Sequence, residues 1–502
     1  MTSLAASGPI AIASPAERDG DSLADRVPAW ALSLAGIVLV FLAGNRGGTA
    51  LLAWVAPVPL ALAAVRLRGW RRRLVLLAVC AAALSLQSLK MVTPPVAAPF
   101  ALLFGVPLGA LVWLTLVLWD AIRRHAGAAW SILAFAALTA LGDVIGFALS
   151  PAGHWAAFAA SQSDNLPLLQ LASLGGLGFV GFVMALPAGA AAALLASSAP
   201  DRPWRTSIAA ATIVVAAHVW GSLRLDAADA GPTVRVAAVT VDFPEPLTSM
   251  EDLRGNVDVL FARSELAARR GAELVVWNEV ATLVEPSQEA ALLARGADFA
   301  RREGVDLVLA YGVVVSSAPF VIDNAYVWLG TKGETLERYR KHVLPPGEPS
   351  LRGEEPLRVL DRSWGRAAGA ICYDYDFPAL ARAHARGGAG VIALPSSDWR
   401  GIDPQHTLMA RVRAIEGGMS VVRAVRAATS MAFDPYGRVR ASLSAWERNE
   451  RVMLATVPTA QVRTVYASLG DAPVVFAALA LLGGAAAAGV RRRLDRHATR
   501  SS

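Results

Sequence analysis

The sequence predicts a membrane protein of two parts: an α-helical bundle of about eight spans and, ahead of the last span, an α/β domain. Three observations carry this. Hydrophobic residues make up 55% of the 502, more than a wholly soluble chain of this length carries. The excess collects at the two ends, in apolar runs over 27–223 and 472–490. The middle, 232–462, has ordinary globular composition and is long enough to bury its own core.

Within 27–223 the apolar runs are 27–44, 49–65, 74–93, 96–119, 128–149, 168–196 and 206–223. Most approach the roughly 20 residues that a helix needs to cross a bilayer, so seven spans precede the middle section and the run at 472–490 is an eighth. Residues 1–26 are Ala/Ser-rich with mixed charge and lack the order of a cleaved signal peptide; they are expected to be a disordered cytoplasmic lead. Orientation follows from arginine placement. Arg66, Arg68, Arg71, Arg72 and Arg73 follow the second run, Arg123 and Arg124 the fourth, Arg202 and Arg205 the sixth, and Arg491, Arg492 and Arg493 the last. The alternate loops carry little positive charge. Both termini are therefore expected in the cytoplasm, with a basic tail at 491–502 and the middle section outside. The same placement explains the net charge of +7 without nucleic acid. Asp143 and His218 fall inside the fifth and seventh runs. A helix-to-helix hydrogen bond and an interfacial position, respectively, are the expected readings, against a functional role at membrane depth.

In the middle section, strands are expected at 234–241, 273–277, 306–315, 324–329, 367–372, 391–394, 420–425 and 427–433, the last leading to a turn at Pro435, Tyr436 and Gly437. Helices are expected at 253–270, 379–386 and 406–415. Such alternation builds an α/β domain whose polar strand ends collect on one edge. Three ends carry chemistry: Glu279 closes VVWNE, Lys341 lies in YRKHVLPPGE, and Cys372 closes AAGAIC. The chain has only two cysteines, Cys80 in an apolar run and Cys372, so no disulfide framework claims the second. A carboxylate that takes the thiol proton, with an ammonium that stabilises thiolate and oxyanion, suffices for acyl transfer through a thioester. Taken alone, Cys372 reads more readily as a buried structural thiol; the order of the three residues favours chemistry.

VVWNE, YRKHVLPPGE, ICYDYDFP and the later DPQHTLMARVRAIEGG resemble the carbon-nitrogen hydrolase (nitrilase) superfamily. With its membrane runs and SQSDNLPLLQLASLGGLGFVGFV, the whole chain after the lead is similar to the bacterial apolipoprotein N-acyltransferases. The resemblance implies a four-layer αββα domain, with Glu279 as general base, Lys341 as oxyanion-stabilising residue and Cys372 as nucleophile. Glu348, Tyr373 and Asp374 match supporting or substrate-binding positions. It further implies a phospholipid acyl donor, a lipid-modified apolipoprotein acceptor, a cell-membrane location, and no metal or organic cofactor. The chain departs from the family pattern at Asn278 (usually Pro), in a 341–348 loop one residue shorter, at Asp374 (usually Glu), in a shortened stretch at 396–401, and at 239–250, which lacks an expected Gln. These departures fall around acyl and acceptor recognition more than on the trio. An extracytoplasmic amidase, an acyltransferase to another amine, and a non-catalytic membrane scaffold are the competing readings.

Overall fold

The computed structural model describes residues 22–44, 46–149, 157–226, 231–241 and 253–501. Residues 1–21 of the lead expected at 1–26, and most of the departure at 239–250, lie outside the described residues; the end of that lead is not disordered but forms a short helix, Leu23–Arg26. Among the described residues, six helices are long and apolar enough to cross a membrane: Trp70–Leu89, Phe100–Ala126, Ala128–Leu149, Ala172–Leu195, Trp204–Leu225 and the helix that begins at Ala472. The first two expected spans are shorter than drawn from sequence. One is the 15-residue helix Ala29–Ala43, and the other is broken into Ala50–Ala53 and Pro57–Arg66. Pro57 explains the break, since its ring starts a helix readily and cannot continue one.

The middle section folds as two sheets. β1 (Thr233–Val239), β2 (Leu274–Trp277), β3 (Leu283–Val284), β4 (Asp306–Ser317), β5 (Phe320–Leu329), β6 (Thr335–Arg340) and β13 (Val452–Pro458) form the first, in the order β13-β1-β2-β4-β5-β6 with β3 beside β4. β7 (Leu360–Arg362), β8 (Gly365–Gly369), β9 (Val391–Ser397), β10 (Ser420–Arg426), β11 (Ser430–Phe433) and β12 (Val439–Leu443) form the second, in the order β12-β11-β10-β9-β8-β7. β1, β2 and β4 run parallel, as do β8, β9 and β10. Parallel strands are buried on both faces and read as continuous apolar runs; Leu274–Trp277 is buried throughout.

One apolar core joins the sheets, with Val236, Val276 and Leu309 from the first and Ile392, Val422 and Ala432 from the second. Helices Val257–Arg269 and Pro286–Glu303 cover one outer face, and Pro378–Arg386 and Gln405–Gly417 the other. The architecture is the expected αββα sandwich. Helix Pro286–Glu303 had no counterpart in the sequence reading, although Glu285 and Gln288 form a capping box around Pro286. The strand expected to end at Cys372 ends at Gly369 instead, and Cys372 opens a 3₁₀ turn, Cys372–Asp376.

The sandwich is seated on the membrane section through helix Gln405–Gly417, whose Met409, Val412 and Ile415 share the apolar core of the bundle. At its far end Glu416 accepts a hydrogen bond from the Leu177 backbone N–H at 3.1 Å. That N–H is available because helix Ala172–Leu195 is interrupted at Gly175 and Gly176. Gly176 has φ +68°, and Tyr466 and Asp471 occupy the space a side chain there would need.

Candidate active site

Glu279 follows β2, Lys341 follows β6 and Cys372 follows β8, so the strand ends bring the three predicted residues to one cavity of about 680 Å³. Its walls come from both parts of the chain. Pro95, Phe100 and Phe104 reach it from the membrane section, beside Glu279, Lys341 and Cys372. The contact between the parts is direct: Trp399 donates its indole N–H to the Met91 carbonyl at 2.8 Å, and Gly401 lies so close to that carbonyl that no side chain fits.

Lys341 is buried. Its Nζ donates to Glu279 Oε1 at 2.8 Å and to Glu348 Oε2 at 2.6 Å. Burial disfavours its charge, but the two carboxylates outweigh that and hold the ammonium above the ordinary lysine range. Asn324, absent from the sequence reading, donates to Glu279 at 2.7 Å and to Glu348 at 3.2 Å. It fixes the separation of two acids that would otherwise repel. Burial, with Glu279 adding to it, pushes the Cys372 thiol well above its usual value, against the pull of Lys341 and Arg423. The thiol is therefore protonated at rest and donates to the Ser397 carbonyl at 3.5 Å, and a base must take that proton before it attacks.

Cys372 sits at φ +46°, Val280 at +44° and Ala427 at +62°. All three line the cavity. Left-handed backbone is costly for residues with a Cβ, and for a β-branched valine especially. Its concentration around one thiol marks a constellation held by its surroundings.

A second set of buried groups lies behind the thiol. Arg423 reaches Cys372 Sγ at 3.9 Å, spans both oxygens of Asp398 at 2.9 and 2.8 Å, and donates to Thr407 at 2.6 Å. His406 faces Asp398 through Nδ1 at 2.8 Å and Asp376 through Nε2 at 2.9 Å. Burial opposes its charge, but the two acids raise its pKa to about 9. The same two cations hold Asp398 well below the usual carboxylate range despite its burial. Cys372, Asp398 and His406 offer donor atoms within 4.8 Å of one another, a spacing a metal ion requires. Arg423, however, occupies both oxygens of Asp398, and His406 is engaged on both nitrogens, so this donor set is closed to a cation. Arg426, also buried, lines the cavity and donates to Ser397 at 2.7 Å; burial lowers its pKa to about 10, with Glu279 and Cys372 opposing.

Of the supporting residues, Glu348 and Tyr373 line the cavity. Asp374 serves the backbone instead. Its carboxylate accepts from the N–H groups of Ile371, His342 and Val343 and from the Tyr339 hydroxyl, at 2.7–3.0 Å. It ties the Cys372 turn to the loop after Lys341, and burial raises its pKa to about 6. The groups that sequence reasoning missed had one visible signal: Arg423 and Arg426 are charges inside the otherwise apolar SVVRAVR strand, a pattern that requires buried partners. Asp143 and His218 lie outside the site. His218 is hydrogen-bonded to Asn165 at 3.1 Å. Asp143 Oδ2, buried in the bundle, has no hydrogen-bond partner among the described residues, so the expected link between helices is not made by that oxygen.

The model of the carbon-nitrogen hydrolase family matches residues 235–467. An apolipoprotein N-acyltransferase of Bradyrhizobium diazoefficiens is 28% identical over 391 residues, 68% of this chain and 69% of that protein. One from Azotobacter vinelandii is 27% identical over 328 residues, with the match spanning 59% of each chain. Among solved structures, an amidase from Nesterenkonia sp. is 22% identical and covers 45% of this chain and 91% of its own, with a TM-score of 0.38. Residues 235–467 are therefore a carbon-nitrogen hydrolase domain. The chain that carries it has apolar helices long enough to cross a membrane and is similar, at 27–28% identity, to the apolipoprotein N-acyltransferases.

Proposed function

We propose that the protein moves a fatty acyl group from a phospholipid, through a thioester on Cys372, to the N-terminal amine of a lipid-modified apolipoprotein. The observation that carries this reading is the shared cavity, which holds Glu279, Lys341 and Cys372 against Pro95, Phe100 and Phe104 of the membrane section. A soluble amide substrate needs no such wall, whereas two lipid-anchored substrates must reach the thiol from the bilayer. The relatives' names and the apolar helices support the same reading.

In the first half-reaction Glu279 takes the Cys372 proton, and the thiolate attacks the acyl ester carbonyl. Lys341 stabilises the oxyanion. The carbon–oxygen bond breaks, and Glu279 returns the proton to the departing lysophospholipid oxygen. In the second half the acceptor amine attacks the thioester, loses its proton to Glu279 and becomes an amide, while that proton restores the thiol. The arginine loops support a domain outside the cytoplasm of a cell-membrane protein, and a reporter fused after Ser502 is expected to be cytoplasmic.

Intact-mass analysis of the full chain in phospholipid tests the chemistry. The wild type gains one acyl mass when acceptor is withheld and loses it on addition of a diacylated peptide with a free N-terminal amine. Cys372→Ala gains none, a loss of roughly 10⁴-fold or more in transfer rate. A wild type that never acquires the adduct overturns the thioester; an adduct discharged only by water overturns the acceptor.

A further inference from the structure

Away from the cavity, one end of the bundle gathers positive charge around a single acid. Asp120, fully buried in helix Phe100–Ala126, is contacted by four guanidinium groups: Arg68 at 3.2 Å, Arg73 at 2.9 Å, and Arg123 and Arg124 at 3.3 Å each. Among the described residues none of the four is paired with another carboxylate, so four positive charges meet one negative and three are left over. Arg73 and Arg123 are largely buried and also hold backbone carbonyls, Ala64 at 3.1 Å and Ala196 at 3.3 Å. They clamp neighbouring helices. Arg68 and Arg124 differ, with 43% of each side chain exposed. Arg492, from the C-terminal helix, packs against Gly127 just beyond Arg124. Trp70, 71% exposed beside the cluster, is the kind of residue that settles at the membrane–water boundary.

A surplus of charge at that depth is costly unless an anion shares it. Convergent guanidiniums suit a phosphate, which accepts from several forks at once. We propose that Arg68, Arg73, Arg123 and Arg124, organised by Asp120, bind the phosphate of an anionic phospholipid in the leaflet this end of the bundle faces. Basic pockets between transmembrane helices hold such headgroups. The exposed pair contributes most of the lipid contact, and the buried pair with Asp120 keeps the pocket in shape. The site is separate from the acyl-transfer cavity and stands whether or not that reading does.

Native mass spectrometry of the full chain in detergent, with phosphatidylglycerol, phosphatidylcholine or inorganic phosphate added, tests it. The wild type retains phosphatidylglycerol and not phosphatidylcholine, and Arg68→Gln/Arg124→Gln lowers that retention roughly tenfold or more. Arg71→Gln/Arg72→Gln, arginines that do not touch Asp120, leaves retention unchanged. Equal retention of the two lipids, or an unchanged Arg68→Gln/Arg124→Gln variant, overturns the proposal. Inorganic phosphate bound as tightly as the lipid makes this a free-anion site and overturns the lipid assignment. Should the double variant not fold, the wild type alone decides: phosphatidylglycerol raises its melting temperature above that in phosphatidylcholine, and about 0.5 M salt abolishes the difference. No difference at low salt rejects the site.

Discussion

Two clusters of charge in this molecule solve burial in opposite ways. Behind Cys372, His406 and Arg423 face Asp376 and Asp398, and in front of it Lys341 lies between Glu279 and Glu348. Each charge there has an opposite partner supplied by the fold. Around Asp120, four arginines share one acid and two of them are partly exposed. The difference teaches where the counter-charge comes from. Inside a protein the cost of removing ions from water is met by pairing, and breaking one pair leaves an uncompensated charge. At a bilayer surface the surrounding lipid can complete the set.

The largest expected effect that separates the two is at Lys341. Lys341→Met leaves Glu279 and Glu348 facing each other across a buried gap. Acyl transfer is expected to fall roughly 10²–10³-fold from the lost oxyanion partner, with about 3–5 kcal/mol of stability lost as well. Chemical denaturation beside acyl-adduct kinetics measures both, and a variant with wild-type rates would end the assignment of Lys341. Next comes Arg423→Met, which strips Asp398 of its bidentate partner and Cys372 of a nearby cation. About 3–5 kcal/mol of destabilisation is expected, and Arg423→Lys should recover part of the activity, because it restores charge without the fork.

A pH series gives a third, intermediate effect. His406 keeps its proton in the folded chain up to about 9 against an ordinary 6.5. Its charge therefore contributes stability in full below about 6.5, and that contribution is lost as pH rises through about 9. The wild-type melting temperature should fall between pH 7 and 10, and the His406→Gln variant, less stable at pH 7, should show a flatter profile. A parallel decline in both would assign the loss to other groups. The smallest effect belongs to the other cluster. Arg124→Gln removes one of four partners of Asp120 from a half-exposed position, and about 0–1 kcal/mol is expected from denaturant midpoints. A loss as large as that of Arg423→Met would show that the Asp120 cluster is a closed structural network like the one behind Cys372.

Legibility in the sequence followed the range of the interaction. Apolar runs are local, so the helical section was readable, although the first two helices, the second of them broken at Pro57, are shorter than the runs that predict them. That Glu279, Lys341 and Cys372 meet was readable because each follows a strand of the α/β domain, and few residue types suit a thiol, carboxylate and ammonium site. Asn324, Asp376, Asp398, His406 and Arg423 were not assembled, because they come from different strands, turns and a helix and meet only when both sheets are packed. The charged pair inside SVVRAVR gave a partial signal without naming its partners. The resemblance matches Asp374 to a supporting or substrate-binding position; only the turn geometry shows its carboxylate filled by four donors.

By itself, the sequence determined the division into a helical membrane section and an α/β domain, and which thiol, carboxylate and ammonium to bring together. Hydrophobic periodicity and side-chain chemistry are properties of short stretches and need no partner to be read. Only the tertiary structure decided that Cys372 lies beyond its strand at a strained φ, that Arg423 and His406 balance the acids behind it, and that Pro95, Phe100 and Phe104 wall the cavity from the membrane side. These depend on which distant residues become neighbours when two sheets and a helical bundle exclude water together, and no local pattern encodes that choice.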